Sequence, residues 1–135
     1  MPAITWGPQI QLGIEVIDSQ HKRLVDLINE LGQAMDDGRG PEVMAKTLTE
    51  LVDYTHYHFK TEETLLHEHD YEDLKQHRRE HRIFTDQIEI YKDRFESGFQ
   101  SVTKALMDYL SGWLVTHITV SDRAYLETLK EGGVK

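Results

Sequence analysis

No cysteine occurs among the 135 residues, which excludes disulfides, thiolate metal sites and cysteine nucleophiles together and suits a reducing compartment. Long apolar runs are also missing, so no membrane span is expected. Residues 1–20 lack the basic start and apolar stretch of an export signal. Positive charge is scarce: 15 Lys and Arg stand against 24 Asp and Glu, a net charge of −9. Opposite charges are interspersed, and an acidic exterior repels nucleic-acid phosphates and anionic lipid. Neither nucleic acid nor membrane is expected as a partner, and a cytoplasmic location is expected. Strand-type alternation, internal repeats and low-complexity segments are absent as well.

What is present is apolar spacing in steps of three and four, and histidine in excess, with eight residues. The length suits one domain over residues 1–135. After an irregular start through Trp6-Gly7-Pro8, a first helix is expected from about Asp18, as N-cap, to Asp37, with Leu24, Leu27, Ile28, Leu31 and Met35 on one face. Gly38-Arg39-Gly40-Pro41 breaks the chain, and Pro41 suits the first turn of the next helix. The second helix carries Met44, Leu48, Leu51, Val52, Thr55, Phe59, Leu65 and Leu66, ending near residues 67–70. A third follows with Leu74, His77, His81, Phe84, Ile88, Tyr91 and Phe95, closed by Ser97-Gly98. The fourth holds Leu106, Leu110, Trp113, Leu114, His117 and Ile118, and continues through Asp122, Tyr125, Leu126 and Leu129. Four amphipathic helices with short connections predict an all-α fold, an up-down-up-down antiparallel four-helix bundle with an irregular N-terminal segment.

Several polar residues fall on the inward stripes. His21 extends the face of Leu24 and Ile28. His58 and Glu62 continue the ladder of Leu48, Leu51 and Thr55. His77 and His81 interrupt the third seam, and His117 and Asp122 the fourth. Residues four apart on a helix project about 40° from one another, so His58/Glu62 and His77/His81 can reach a common point. His117 and Asp122 are five apart, roughly 140° on a regular helix. A wide turn or π-bulge is therefore expected there, helped by the β-branched run Ile118-Thr119-Val120.

An unpaired polar group in a core costs about 1–3 kcal/mol, and a carboxylate far more, against a total stability of about 5–15 kcal/mol. Five imidazoles and two carboxylates at core positions are hard to reconcile with anything but bound cations. Nitrogen and oxygen donors without sulfur disfavour copper(I) and iron–sulfur clusters, and seven donors exceed one tetrahedral zinc. Two bridged ions use all seven. Iron or manganese suits the set best, and a zinc pair remains open on donor chemistry alone.

The segments Ile17-Asp18-Ser19-Gln20-His21-Lys22-Arg23-Leu24, His58-Phe59-Lys60-Thr61-Glu62-Glu63, His77-Arg78-Arg79-Glu80-His81 and Trp113-Leu114-Val115-Thr116-His117-Ile118, followed by Asp122, resemble the hemerythrins, and specifically their single-domain bacterial members. The likeness covers nearly the whole chain, including Trp6, with no departure at the seven candidate ligands. It implies two non-haem iron ions: His77, His81 and His117 on one that is coordinatively full, and His21 and His58 on one with an open position. Glu62 and Asp122, with a solvent-derived oxo or hydroxo bridge, would join them. It further implies reversible dioxygen binding at the open iron, and no enzyme activity. By position, Leu24, Phe59, Trp113, Leu114 and Ile118 are expected as the apolar pocket wall, with Trp113 and Phe59 equally readable as core filler. Tyr125 is expected as a hydrogen-bond donor behind the ligands, or as plain packing. His56, His67, His69 and Glu63 are expected to face solvent.

The leading function is thus a dioxygen carrier, store or delivery module, whose protein recipient the sequence does not name. Oxidases built on such bundles use Glu-x-x-His pairs, and this chain has none. The alternatives are a diiron oxidoreductase acting on peroxide or nitric oxide, oxygen or redox sensing through a partner, and a metal-free acidic interaction bundle.

Overall fold

Glu15, not Asp18, begins the first helix. The computed structural model describes residues 4–38, 41–98 and 103–135, and α1 spans Glu15–Asp36 with Ile14 at its N-cap and no side-chain cap. The expectation that Asp18 caps this helix is corrected. Its carboxylate instead reaches back to accept the backbone N–H groups of Leu12 at 2.7 Å and Gly13 at 2.9 Å. Gly13 stands at φ +88°, a left-handed conformation that glycine adopts without steric penalty. The irregular start is clamped to α1 by Asn29, which accepts the Ile4 N–H at 2.9 Å and donates to the Ile4 carbonyl at 3.0 Å.

Helix α2 runs Pro41–Glu68 and α3 runs Leu74–Glu96. Pro41 opens α2 as its spacing predicts; Arg39 and Gly40 of the expected break lie outside the described residues. Between α2 and α3, Asp70 takes a positive φ of 53°, so the chain turns over residues 69–73 and α3 begins later than residue 70. Ser97 and Gly98 end α3 as expected, with the Ser97 N–H returning to the Asp93 carbonyl. Helix α4 covers Thr103–Thr116. It passes into a π-helical turn at His117–Asp122, a 3-10 turn at Arg123–Tyr125 and a last helix, α5, at Leu126–Glu131.

Helix α1 packs on α2 and α4, and α3 packs on α2 and α4, which closes an antiparallel four-helix bundle. The shared centre holds Leu24, Leu27, Ile28, Leu31, Leu48, Leu51, Ile88, Leu106 and Leu110, all within 2% of full burial. Met35, Leu65, Leu74 and Tyr91 lie at its edge, partly buried. Among the described residues no helix is long and apolar enough to cross a membrane.

The wide turn expected between His117 and Asp122 is present. A turn closed by i→i+5 hydrogen bonds carries more residues than an α turn, so positions five apart come onto one face. Within it the Thr119 hydroxyl donates to Val115 O at 2.8 Å and approaches Thr116 O at 3.4 Å. The side-chain oxygen of this β-branched residue, beyond its shape, supports the distortion.

Candidate metal centre

All four helices of the bundle deliver polar side chains to one buried region. His21 comes from α1, His58 and Glu62 from α2, His77 and His81 from α3, and His117 and Asp122 from the two ends of the π turn. Each is no more than 4% exposed. The structure gathers them into two groups that share a carboxylate: Glu62, His77, His81, His117 and Asp122 in one, and His21, His58 and Glu62 in the other.

The carboxylates span the two groups. Glu62 Oε1 faces His77 Nε2 and lies 3.1 Å from His81 Nε2, while its Oε2 lies 3.2 Å from His58 Nε2 and 3.6 Å from His21 Nε2. Asp122 Oδ1 lies 3.0 Å from His77 Nε2 and 3.1 Å from His117 Nε2, and its Oδ2 lies 3.1 Å from His21 Nε2. Each acid thus turns one oxygen towards the three-histidine group and the other towards the two-histidine group. This is the disposition required of carboxylates that bridge two cations.

The donor set fits a cation pair on a second count. Both oxygens of Asp122 and both ring nitrogens of His21 are buried without a hydrogen-bond partner among the described residues. Their neighbours are close, His21 Nε2 lying 3.1 Å from Asp122 Oδ2, yet they make no hydrogen bond and instead surround shared points between the side chains. Left so, each such group costs about 1–3 kcal/mol; cations at those points would satisfy them together.

Charge coupling is strong among the side chains alone. Burial opposes charge on His21 and His77, but the close carboxylates of Asp122 and Glu62 outweigh it and lift His21 to about 9 and His77 to about 10. His81 is raised in the same way, against burial, by Glu62 and Glu63. His58, where burial dominates, is lowered. Burial favours the neutral acids, yet the surrounding imidazoles hold Glu62 and Asp122 below their ordinary range. Burial pushes Tyr125 well up, reinforced by the charges of Glu62 and Asp122.

Around this centre, Tyr125 is fully buried and its hydroxyl donates to Glu62 Oε2 at 3.2 Å. Leu24, Phe59, Leu114 and Ile118 are buried and Trp113 is partly buried against the same core. Phe59 stacks face to face on His81, with centroids 3.7 Å apart, and Trp113 stacks on His117 at 4.3 Å. The two aromatic rings therefore sleeve the three-histidine group.

The expectation for Glu63 is corrected: it accepts a hydrogen bond from His81 Nδ1 at 2.8 Å and another from Arg78 Nε at 3.2 Å. Gln20, unnoticed in the sequence, is buried and accepts from His58 Nδ1 at 2.7 Å. Its signal was available, since Gln20 precedes Leu24 by one helical step and so interrupts the same seam as His21. His56 is exposed beside Glu89, and His67 is exposed at the end of α2. His69 differs from expectation: it is partly buried and its Nδ1 lies 2.9 Å from the Leu65 carbonyl, which also accepts the His69 backbone N–H at 3.2 Å.

An antiparallel four-helix bundle with a cluster of imidazoles and bridging carboxylates at its heart is a cation-binding bundle. The hemerythrin HHE cation binding domain matches residues 12–129. The chain is 37% identical over 130 residues to a bacteriohemerythrin of Pseudomonas aeruginosa, covering 96% of this chain and 84% of the relative. It is 30% identical to a bacteriohemerythrin of Methylococcus capsulatus, over 93% of this chain and 95% of that one. A crystal structure of wild-type hemerythrin superposes with a TM-score of 0.88 at 29% identity, over 95% of this chain and 98% of that chain. The chain belongs to the hemerythrin family.

Proposed function

We propose that this protein binds dioxygen reversibly at a pair of non-haem iron ions held by His21, His58, Glu62, His77, His81, His117 and Asp122. The observation that carries the reading is the inequality of the two groups around the shared acids. Three imidazoles converge on one side and two on the other, so with both carboxylates bridging, one cation has one protein donor fewer. That position is where a small neutral ligand can enter. An iron pair held there would supply the electrons for reversible dioxygen binding.

The chain's own residues do the rest. Glu62 and Asp122 hold the two positions at a fixed spacing, because each acid sits in a buried frame of imidazoles. Tyr125 fixes Glu62 by donating its hydroxyl proton to Oε2. Leu24, Phe59, Trp113, Leu114 and Ile118 form an apolar wall that keeps water from the site and slows irreversible oxidation. A set rich in imidazole and poor in carboxylate carries less negative charge than the Glu-x-x-His oxidase sites. This favours holding dioxygen over activating it, and a carrier, store or delivery role over an enzyme's. The family resemblance of the relatives named bacteriohemerythrin supports the same reading.

The test is an oxygen titration followed by absorbance on iron-loaded protein, with iron quantified on the same sample. Two irons per chain and visible bands that appear in air, bleach on deoxygenation and return are expected. Bands that fail to bleach, or steady turnover of peroxide or nitric oxide with a reductant, overturn it.

A further inference from the structure

The imidazoles of the two groups are backed by different chemistry. In the two-histidine group, His58 Nδ1 meets the neutral amide oxygen of Gln20 at 2.7 Å, and His21 Nδ1 is buried with no hydrogen-bond partner among the described residues. In the three-histidine group, His81 Nδ1 meets the carboxylate of Glu63 at 2.8 Å. Arg78 Nε holds the other oxygen of Glu63 from the solvent side at 3.2 Å. A second carboxylate, Glu80, stands 3.8 Å from His117 Nδ1 while accepting from Ser121 Oγ at 2.7 Å. His117 Nδ1, like His21 Nδ1, makes no hydrogen bond, so the contrast lies between Glu63 behind His81 and Gln20 behind His58, and among the described residues the nearby carboxylates behind Nδ1 atoms fall on the three-histidine group.

An acceptor behind Nδ1 keeps the ring proton there and leaves the Nε2 lone pair free for a cation. Gln20 and Glu63 both do this. They differ in charge: a carboxylate draws the proton further from the ring, makes the imidazole a stronger donor, and places a negative charge one ring away from the cation. An amide does neither.

We propose that Gln20 and Glu63 are positioning residues that make the two cation positions unequal. The position at His77, His81 and His117 fills first and tightly, and that at His21 and His58 fills second and more weakly. This rests on the two-cation reading of the site. It makes the position with fewer protein donors also the one with the more weakly donating imidazoles.

Zinc serves as the probe, being redox-inactive and indifferent to dioxygen. Calorimetric titration of the cation-free protein with zinc is expected to show two phases separated by at least about tenfold in affinity, the order of effect of outer partners on metal sites. Glu63→Gln keeps an acceptor but loses the charge, and lowers the first phase by about 10- to 100-fold while sparing the second. Gln20→Glu adds the charge on the other side and raises the second phase until the two merge. In the zinc-loaded protein, the His81 Nδ1–H proton resonance moves upfield in Glu63→Gln while that of His58 stays in place. A purely structural role for Glu63 would lower both phases alike and would not separate the two resonances.

Equal affinities in the unaltered protein, or variants that leave both phases unchanged, overturn the inequality alone. Saturation at one zinc per chain overturns the two-cation reading beneath it. Should Glu63→Gln fail to fold, Gln20→Glu decides the matter, because merging of the phases needs no loss of structure.

Discussion

His117 and Asp122 stand five residues apart, yet the Nε2 of one lies 3.1 Å from the Oδ1 of the other. On a regular α-helix they would diverge by roughly 140°. The π turn removes that divergence, and Thr119 holds the turn open through its bond to Val115 O.

Thr119→Val should therefore destabilise the bundle. The change preserves shape and removes the hydroxyl with its hydrogen bond to Val115 O, at a cost of about 1 kcal/mol. For a chain of this size that lowers the melting temperature by roughly 3–5 °C. A thermal melt of the cation-free variant checks it, and an unchanged midpoint shows that the π turn stands without the hydroxyl.

Glu62 belongs to both cation groups, whereas His21 belongs to one. Glu62→Ala should abolish cation loading at both positions. His21→Ala should leave roughly one cation per chain, since the three-histidine group keeps all of its donors. Metal analysis after loading and desalting distinguishes the two variants. Equal losses would mean that the groups do not load separately.

Cation-free protein should show a stability maximum near pH 6.5, the ordinary histidine value. His21 and His77 are raised from 6.5 to about 9 and about 10. Their contribution is complete below 6.5 and is lost as pH rises through those values. Glu62 and Asp122 are depressed, so theirs is complete above the ordinary carboxylate range and is lost as pH falls below it. His58, lowered by burial, adds to the decline on the acid side. Urea unfolding at a series of pH values tests the shape; a stability still rising from pH 7 to 10 contradicts it.

The same protons must leave when cations arrive. Loading at pH 7.5 should release protons from the raised imidazoles, seen as heats that vary with the ionisation enthalpy of the buffer. Cation affinity should rise with pH across this range. Heats independent of buffer would exclude protonated imidazoles in the cation-free site.

Phe59→Ala should cost about 3–5 kcal/mol, the range for deleting a buried aromatic ring, because Phe59 is 5% exposed and covers the face of His81. Phe59→Leu should recover much of that loss while removing the stacked ring. Denaturant unfolding of both variants checks the ordering.

Helical spacing was enough to find the four helices, the breaks at Pro41 and Gly98, and the seven polar interruptions of the seams. It also required the wide turn, because a five-residue interval cannot point two side chains one way on an α-helix. These are properties of single helices, and the period of the chain encodes them. What stands across from a side chain is different. Glu63 lies a full 100° around the helix from Glu62 and reads as solvated, until α3 brings His81 and Arg78 to it. Gln20 reads as one more polar residue until α2 sets His58 against it. Asp18 reads as a cap until the preceding strand of irregular chain folds back over its carboxylate. The stacking of Phe59 on His81 and of Trp113 on His117 has the same origin. Each depends on the rotation and axial register between neighbouring elements, which packing of the whole core decides and no single helix contains.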